Sequence, residues 1–174
     1  MAGITLGRLS DSFPDAQNVI RSMPNTPGQI GEGITGFVFL NSPNQSEHRL
    51  VTNILSSLGE SFELKSEEDI DRITAISGSG PAYLFEFTCA LECAAKEIGL
   101  PEKLANKFAL QTVTGASKLL ANSGLHPEEL RDQVTSPKGT TQAALESLEK
   151  NNLRKIVQDA VEAAKARSIE LSNA

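Results

Sequence analysis

The sequence predicts a mainly α-helical fold that follows an incomplete α/β segment. Up to Leu64, short apolar segments with strand character alternate with an amphipathic helical one, which is typical of α/β structure. Beyond Ser66 the apolar residues recur with helical spacing, and only short breaks interrupt them. The change of pattern predicts a domain boundary near residues 64–70. Proline stands where a first helical residue is expected at three positions, which are Pro81, Pro101 and Pro127.

The α/β segment is predicted to contain three strands and one helix. The strands are expected at 18–23, 36–40 and 60–64, and the amphipathic helix at 45–58. The run MPNTPGQIGEG after the first strand is rich in proline and glycine, so it is expected to be a loop that leaves this strand at its carboxyl end. Ligands of open α/β sheets bind at such ends.

The helical part carries more apolar surface than one copy of the chain is expected to cover. Five helices are predicted there, the last over 152–171, and each has a wide apolar stripe. Alanine and glycine in these helices favour close packing. A symmetric dimer that shares helices across its two-fold axis would bury the remaining stripes. We therefore expect a homodimer through the helical part, or a higher oligomer built from it.

Composition and charge argue against several classes of protein. A formal net charge of −6 and a pI near 5.0 give no electrostatic reason to bind nucleic acid or an anionic membrane surface. The apolar stretches are far shorter than a membrane span. The first residues also lack the basic start and apolar core of a signal peptide, so the expected location is cytoplasmic.

Cysteine and histidine supply no predicted metal site. Cys89 and Cys93 lie four residues apart on a predicted helix and would provide only half of a tetrahedral ligand set. We interpret them as buried thiols. His48 and His126 are distant from each other and from any carboxylate cluster, and they are interpreted as surface or loop residues.

Two polar, glycine-containing segments are the strongest candidates for chemistry, SGSGPAY at 77–83 and VTSPKGTT at 134–141. Each is predicted to be a loop that opens a helix, where the first backbone N–H groups lack intrahelical partners and can hold an anion. If the loops converge, they form a small pocket for a carboxylate-bearing molecule, with hydroxyl groups but no strong acid, base or metal ligand. The chemistry would then come from a cofactor. For each segment taken alone, the alternative is an ordinary helix cap or a tight helix start.

Together and in this order, three motifs resemble the carboxyl-terminal part of pyrroline-5-carboxylate reductase, the last enzyme of proline biosynthesis. They are VIRSMPNTPGQIGEG at 19–33, ITAISGSGPAYLFEF at 73–87 and LHPEELRDQVTSPKGTTQAALESLE at 125–149. The resemblance implies that residues 1–65 are the terminal portion of a dinucleotide-binding Rossmann domain. It also implies that residues 66–174 are an all-α substrate-binding and dimerisation domain of the 6-phosphogluconate dehydrogenase C-terminal-like type.

The resemblance implies a reaction and the residues that perform it. An oxidoreductase dependent on NADPH or NADH would reduce 1-pyrroline-5-carboxylate to L-proline. The substrate carboxylate would be bound at a helix start, and the hydroxyl of Thr141, the catalytic group, would face the ring nitrogen. The residues expected to bind the substrate are Ser136, Gly139, Thr140 and Thr141. The residues expected to contact the cofactor are Met23, Pro24, Asn25, Ser79 and Gln133.

The sequence departs from the family pattern in two respects. At its front it has no glycine-rich turn between a strand and a helix, the arrangement that seats a dinucleotide pyrophosphate, so the chain is expected to be a truncated form with little reductase activity by itself. Lys138 stands where the family usually carries glycine, and it adds a positive charge near the expected carboxylate site. Two hypotheses therefore stay open, a part of a nicotinamide-dependent reductase or a non-catalytic helical dimerisation module that binds a small carboxylate. The choice between NADPH and NADH is open as well.

Overall fold

The computed structural model describes residues 2–174, which contain eight α-helices and three β-strands. The strands form one sheet in the order β1-β2-β3, with β1 at Ile20–Met23, β2 at Gly33–Phe39 and β3 at Gly59–Glu63. β1 pairs antiparallel with β2, and β2 pairs parallel with β3. The three predicted strands are confirmed, although β2 begins at Gly33 rather than at residue 36.

Three helices precede or follow the strands, α1 at Leu6–Ser12, α2 at Gln45–Leu55 and α3 at Glu68–Ile73. α2 begins with a capping box, in which the side chains of Asn44 and Glu47 each accept the backbone N–H of the other residue at 3.0 Å. α1 is not among the predicted helices, because its 7 residues are too few for apolar periodicity to be recognised. Its start is nevertheless encoded by Thr5, whose hydroxyl accepts the N–H of Arg8.

The remainder of the chain is helical, as predicted. It forms α4 at Gly80–Glu97, α5 at Glu102–Ser123, α6 at Pro127–Gln133, α7 at Thr140–Lys150 and α8 at Leu153–Asn173. Pro127 is the first residue of α6, whereas Pro101 is the residue before α5 and Pro81 is the second residue of α4. The mainly α fold class is therefore confirmed. Within residues 2–174, no helix combines the length and the apolar character that crossing a membrane requires.

Packing divides the chain into two compact units. The first comprises the residues up to Ala82 together with Gln158–Ala174, and the second comprises Tyr83–Val157. The core of the first unit is formed by the buried side chains of Leu6, Val19, Val38 and Ile70. The division into a cofactor domain over 1–65 and a substrate domain over 66–174 concerns binding rather than compactness, and it stays a prediction.

In the second unit the buried apolar side chains are small. Ala105 and Ala109 of α5 are buried, whereas Phe108 between them is 60% exposed. Cys89 and Cys93 of α4 are exposed as well. The interpretation of these cysteines as buried thiols is therefore wrong for the chain by itself, because its described residues leave that part of α4 uncovered.

Candidate functional site

The first candidate segment leaves the carboxyl end of β1, as predicted. β1 ends at Met23, and Pro24 and Asn25 lead into a 3-10 helix at Thr26–Ile30. The side-chain oxygen of Asn25 accepts the backbone N–H of Ile34 at 2.9 Å. This bond fixes the Asn25 amide against the start of β2, and the amide nitrogen has no hydrogen-bond partner among residues 2–174. Asn25 therefore offers an oriented hydrogen-bond donor at the end of the strand.

A literal match to the dinucleotide pattern G-x-G-x-x-G occurs in the same region, in the letters GEGITG at 31–36. From Gly33 onward these residues form β2, and a loop rather than a helix follows the strand. A pyrophosphate is seated where a glycine-rich turn runs from a strand into the N-terminus of a helix. The match lacks this setting, so it is not a pyrophosphate-binding turn.

The second candidate segment, SGSGPAY, is not a loop. α3 passes into a π-helical turn at Thr74–Gly78, Ser79 keeps a right-handed helical backbone, and α4 begins at Gly80. The N–H of Ser79 donates to the carbonyl oxygen of Thr74 at 2.8 Å. The prediction of a loop with unpaired N–H groups is therefore wrong at Ser79. Serine and glycine are helical here because α3 already precedes them and supplies the acceptors. Single π-helical turns inside longer helices occur frequently at functional sites.

The structure brings the first two segments into contact at one point. A Cβ atom added at Gly78 would lie 2.8 Å from the Cε of Met23, which is closer than two carbon atoms approach. Met23 is half-buried and packs against the apolar core of the first unit. Ser79 is half-buried beside this contact, whereas a Cβ at Gly80 would meet no atom within 4 Å. Gly78 is thus required for space, and Gly80 borders an open surface.

The third candidate segment joins α6 to α7 in the second unit. The N–H of Gly139 donates to the carbonyl oxygen of Ser136 at 3.0 Å and closes a turn, and α7 starts at the next residue. A Cβ at Gly139 would overlap the hydroxyl oxygen of Ser136. Glycine at this position therefore allows the Ser136 hydroxyl to lie against the start of α7.

Lys138 adopts a φ of +61°, in the left-handed region that favours glycine. Its N–H donates to the side-chain oxygen of Gln142 at 2.7 Å, and the Gln142 amide nitrogen donates to Glu146 at 2.7 Å. Gln142 thus stabilises the strained turn, and it is absent from the residues predicted from the sequence. The available signal is its place as third residue of α7, because glutamine there is the member of a capping box that reaches back.

Three backbone donors are left open where α7 begins, in agreement with the unpaired donors predicted for this segment. Gly139 has no side chain to cap the helix, and the first carbonyl bond of α7 runs from the N–H of Ala143 to Gly139 at 3.2 Å. The N–H groups of Thr140, Thr141 and Gln142 have no hydrogen-bond partner among residues 2–174. The hydroxyl of Thr141 has none there either. Open N–H groups and the helix dipole together make such a start favourable for an anion.

The charged residues flanking this segment are largely paired with one another. Arg154 donates to Glu128 at 2.7 Å, and this bond holds the pKa of the Glu128 carboxyl below its ordinary value. By contrast, Lys138 makes no ion pair with the residues that the structure describes. Gln133, the remaining residue predicted to contact the cofactor, is exposed at the last position of α6.

A cavity of about 800 Å³ lies next to the same segment within the second unit. It is bordered by Thr135 and Gln142 at either side of the turn and by Leu145 and Leu148 of α7. The sequence motifs do not point to it. No group of three or more His, Cys, Asp and Glu side chains within residues 2–174 is arranged to hold a metal ion.

Comparison with known proteins gives consistent matches. Residues 67–171 match the family model described as pyrroline-5-carboxylate reductase dimerisation. The chain is 37% identical over 171 residues to a pyrroline-5-carboxylate reductase of Pseudomonas aeruginosa, covering 98% of this chain and 63% of that protein. It is 40% identical over 171 residues to the Synechocystis enzyme of the same name, with 98% and 63% covered. The chain thus spans slightly less than two thirds of the length of these curated relatives.

Solved structures agree with these matches. A pyrroline-5-carboxylate reductase from Coxiella burnetii superimposes with a TM-score of 0.91 at 36% identity, covering 98% of this chain and 63% of that one. A Plasmodium falciparum pyrroline carboxylate reductase, solved with NADP bound, gives a TM-score of 0.87 at 34% identity, with 98% and 68% covered. With the three motifs, the open start of α7 and these likenesses in agreement, the chain belongs to the pyrroline-5-carboxylate reductase family and matches its carboxyl-terminal part.

Proposed function

We propose that this chain works in the reduction of 1-pyrroline-5-carboxylate to L-proline by NADPH or NADH, in the cytoplasm. The observation that carries the proposal is the open start of α7, where unpaired N–H groups and hydroxyls face no acceptor among the described residues. A cyclic imino acid needs an anchor for its carboxylate and a hydrogen bond at its ring nitrogen. The start of α7 offers both kinds of group within a few residues.

The substrate carboxylate is bound by the N–H groups of Thr140 and Thr141 and by the hydroxyl of Ser136. Charge-assisted hydrogen bonds to backbone donors are strong where the helix dipole favours negative charge. Gly139 contributes mainly by its missing side chain, since its own N–H already donates to Ser136. The turn is therefore set before the substrate arrives, so little ordering is required on binding.

The hydroxyl of Thr141 faces the ring nitrogen in the proposed complex. Bound NADPH or NADH would supply the hydride that the imine carbon accepts. A threonine hydroxyl is too weak an acid to protonate the nitrogen unaided, so Thr141 orients an imine that is protonated from solvent, or relays a proton from water. The contribution of the chain is positioning, because the site has no acid–base pair.

The cofactor contacts proposed for the first unit fit what the structure shows there. The amide nitrogen of Asn25 is an oriented donor of the kind that a nicotinamide carboxamide oxygen accepts. Met23 offers an apolar surface, and the open space at Gly80 leaves room beside Ser79. We assign the residues up to 65 to the cofactor domain and 66–174 to the substrate domain. With no glycine-rich turn running into a helix, these 174 residues are expected to hold a dinucleotide weakly.

The helices of the second unit support a homodimer. Large apolar side chains of α4 and α5 are exposed in the single chain, and these are Leu84, Phe85, Phe87, Leu104, Phe108, Leu110, Leu119 and Leu120. Exposed apolar area on this scale marks a protein–protein interface, and two-fold dimers are the commonest closed assembly. We propose that a second copy covers these side chains.

One observation favours a second candidate function, a dimerisation module that binds a small carboxylate without catalysis. Lys138 places a cation and a strained backbone beside the open donors, where the resemblance leads one to expect glycine. A cation there suits retention of an anion as well as turnover. Dinucleotide binding distinguishes the two candidates, because only the reductase requires it.

Calorimetric titration with L-proline tests the carboxylate site. The 174-residue chain should bind proline, and Ser136→Ala should weaken binding by about tenfold or more, the usual effect of one hydrogen bond to a charged group. Ser147→Ala removes an exposed hydroxyl farther along α7 and is the matched control, which should bind as the unaltered chain does. Proline binding that is absent, or equal in both variants, would contradict the proposal. Subsequent titration with NADP(H) then separates the reductase from the non-catalytic module.

A further inference from the structure

We infer that Arg21 is a positioning residue, which acts through a buried charge cluster to hold Met23 and the loop after it in place for the cofactor. The cluster consists of Arg21 on β1, Glu67 and Asp71 at the start of and within α3, and Ser168 on α8, all in the first unit. This inference rests on the proposed function, because it assigns a role toward the cofactor that the function requires.

The cluster joins elements that are distant in the sequence. Arg21 is 1% exposed, and its Nη1 donates to a carboxylate oxygen of Glu67 at 2.8 Å. Its Nη2 lies 3.8 Å from a carboxylate oxygen of Asp71. The hydroxyl of Ser168 donates to the same oxygen of Asp71 at 2.6 Å. The Glu67 oxygen also accepts the N–H of Leu6 at 2.7 Å, so α1 is attached as well.

Stability alone does not account for this cluster. The Nε and Nη2 atoms of Arg21 are buried without a hydrogen-bond partner in the structure. Burying a guanidinium with incomplete partners carries a desolvation penalty, and well-packed apolar side chains often replace buried ion pairs without loss. What an arginine adds is direction, because its planar donor fork fixes the angle and distance of the groups that it joins. The cluster therefore sets geometry more than it adds free energy.

The geometry it sets is that of β1 against α3. Side chains two apart on a strand point to the same face, so Arg21 and Met23 share one face of the sheet at a spacing of roughly 7 Å. α3 carries Glu67 and Asp71 at its start and continues into the π-helical turn that contains Gly78. Gly78 in turn lies beneath the Met23 methyl group. Two contacts thus connect the same pair of elements, one ionic and one apolar.

The ionic contact controls the apolar one. The Met23 side chain is flexible and its contact with Gly78 is a weak dispersion contact, so it does not fix the position of β1 by itself. Without the Arg21 fork, β1 is free to shift along α3, and Met23 leaves Gly78. Pro24 and Asn25 follow directly after Met23, so the proposed cofactor-contacting loop shifts too.

Methionine methyl NMR of the 174-residue chain tests this directly. The chain contains only 2 methionines, so Met23 is the single internal methyl signal beside that of Met1. Arg21→Gln should move the Met23 signal toward the position of a freely rotating methionine, and Arg21→Lys should restore it in part. Ser168→Ala, which removes only the bond to Asp71, should move it less in the same direction. Arg49→Gln on α2 removes an exposed arginine without a described ion pair and should leave the signal unchanged.

The same samples are then titrated with NADPH. Binding should perturb the Met23 signal of the unaltered chain, and the apparent Kd should rise about fivefold or more in Arg21→Gln, the lower end of typical coupling between linked sites. L-proline binding, measured in parallel, should stay the same, which a general loss of folding would not allow. If Arg21→Gln does not fold, Glu67→Gln and Ser168→Ala give the same comparison with Arg21 retained.

The outcomes separate the two claims. An unmoved Met23 signal in the cluster variants, or an NADPH affinity equal to that of the unaltered chain, overturns the role of Arg21 and leaves the proposed function intact. A Met23 signal that moves in Arg21→Gln but does not respond to NADPH in the unaltered chain overturns the proposed cofactor contact, and with it the role of Arg21. Coupled changes in both measurements support the inference.

Discussion

The methyl carbon of Met23 lies directly over the Cα of Gly78, at a place where a Cβ on Gly78 would be only 2.8 Å away. This contact joins the end of β1 to the π-helical turn between α3 and α4. The two residues are 55 positions apart in the chain, as 23 and 78 in its numbering show. Neither segment by itself indicates the other, and yet both are candidate binding segments.

Alanine substitutions at Gly78 and Gly80 should have different effects on stability. At Gly80 the added methyl group meets no atom within 4 Å, and alanine is favoured over glycine in a helix by about 1 kcal/mol, so Gly80→Ala should raise the free energy of unfolding by about that amount. At Gly78 the new methyl displaces Met23, which offsets the gain. Urea denaturation measures both variants.

A double mutant isolates the contact itself. In a Met23→Ala background the obstruction at Gly78 is gone, so Gly78→Ala should then stabilise the chain as Gly80→Ala does. Equal effects of Gly78→Ala with and without Met23 would show that the contact does not constrain position 78.

Glycine at position 138 should stabilise the chain. Lys138 has a φ of +61°, which costs a side chain roughly 1–2 kcal/mol, and part of this relief is offset by the greater freedom of glycine in the unfolded state. Lys138→Gly should therefore raise the free energy of unfolding by about 0.5–1 kcal/mol in thermal denaturation. Asn152→Gly is the control, because Asn152 has a φ of +57° but asparagine tolerates this region. A gain at 152 as large as that at 138 would contradict the explanation.

The ion pair between Arg154 and Glu128 should make stability depend on pH on the acidic side. Hydrogen bonding to Arg154 lowers the pKa of Glu128 from its ordinary value of 4.5 in the folded chain. A carboxyl with a lowered folded pKa contributes stability above its unfolded pKa and loses it as the pH falls through the folded pKa. Glu128→Gln should therefore be less stable than the unaltered chain at pH 7, and the difference should vanish at strongly acidic pH. Urea midpoints at both pH values measure it, and a difference independent of pH would contradict the assignment.

A charge placed on the exposed apolar surface of α5 should prevent dimerisation. Phe108 is 60% exposed in the single chain and lies among the side chains proposed to be covered by a second copy. Phe108→Asp would bury an unpaired carboxylate in that interface, at a cost that the interface does not offset. Light scattering should show a mass near 18.6 kDa, the mass of one chain, instead of twice that value. Lys107→Asp introduces the same residue at the neighbouring exposed position, and it should remain a dimer.

Much of the fold follows from local patterns in the sequence. The three strands, α2 and the five long or proline-led helices after Ser66 lie where apolar spacing and proline place them. The open donors at α7 follow in the same way, because a glycine before Thr140 leaves the helix without a side-chain cap. These features depend on residues within one or two turns of each other, and such residues determine backbone conformation directly.

Tertiary structure decided the rest. The sequence by itself determined the helical class, the loop after β1, the start of α7 and the family resemblance. It did not determine that SGSGPAY is helical, because serine and glycine accept either conformation and the preceding α3 makes the choice. Nor did it indicate that Arg21 meets Glu67 and Asp71, since ion pairs between distant elements leave no periodic pattern. Local propensity acts over a few residues, whereas the groups that hold Met23 against Gly78 are brought together only by packing.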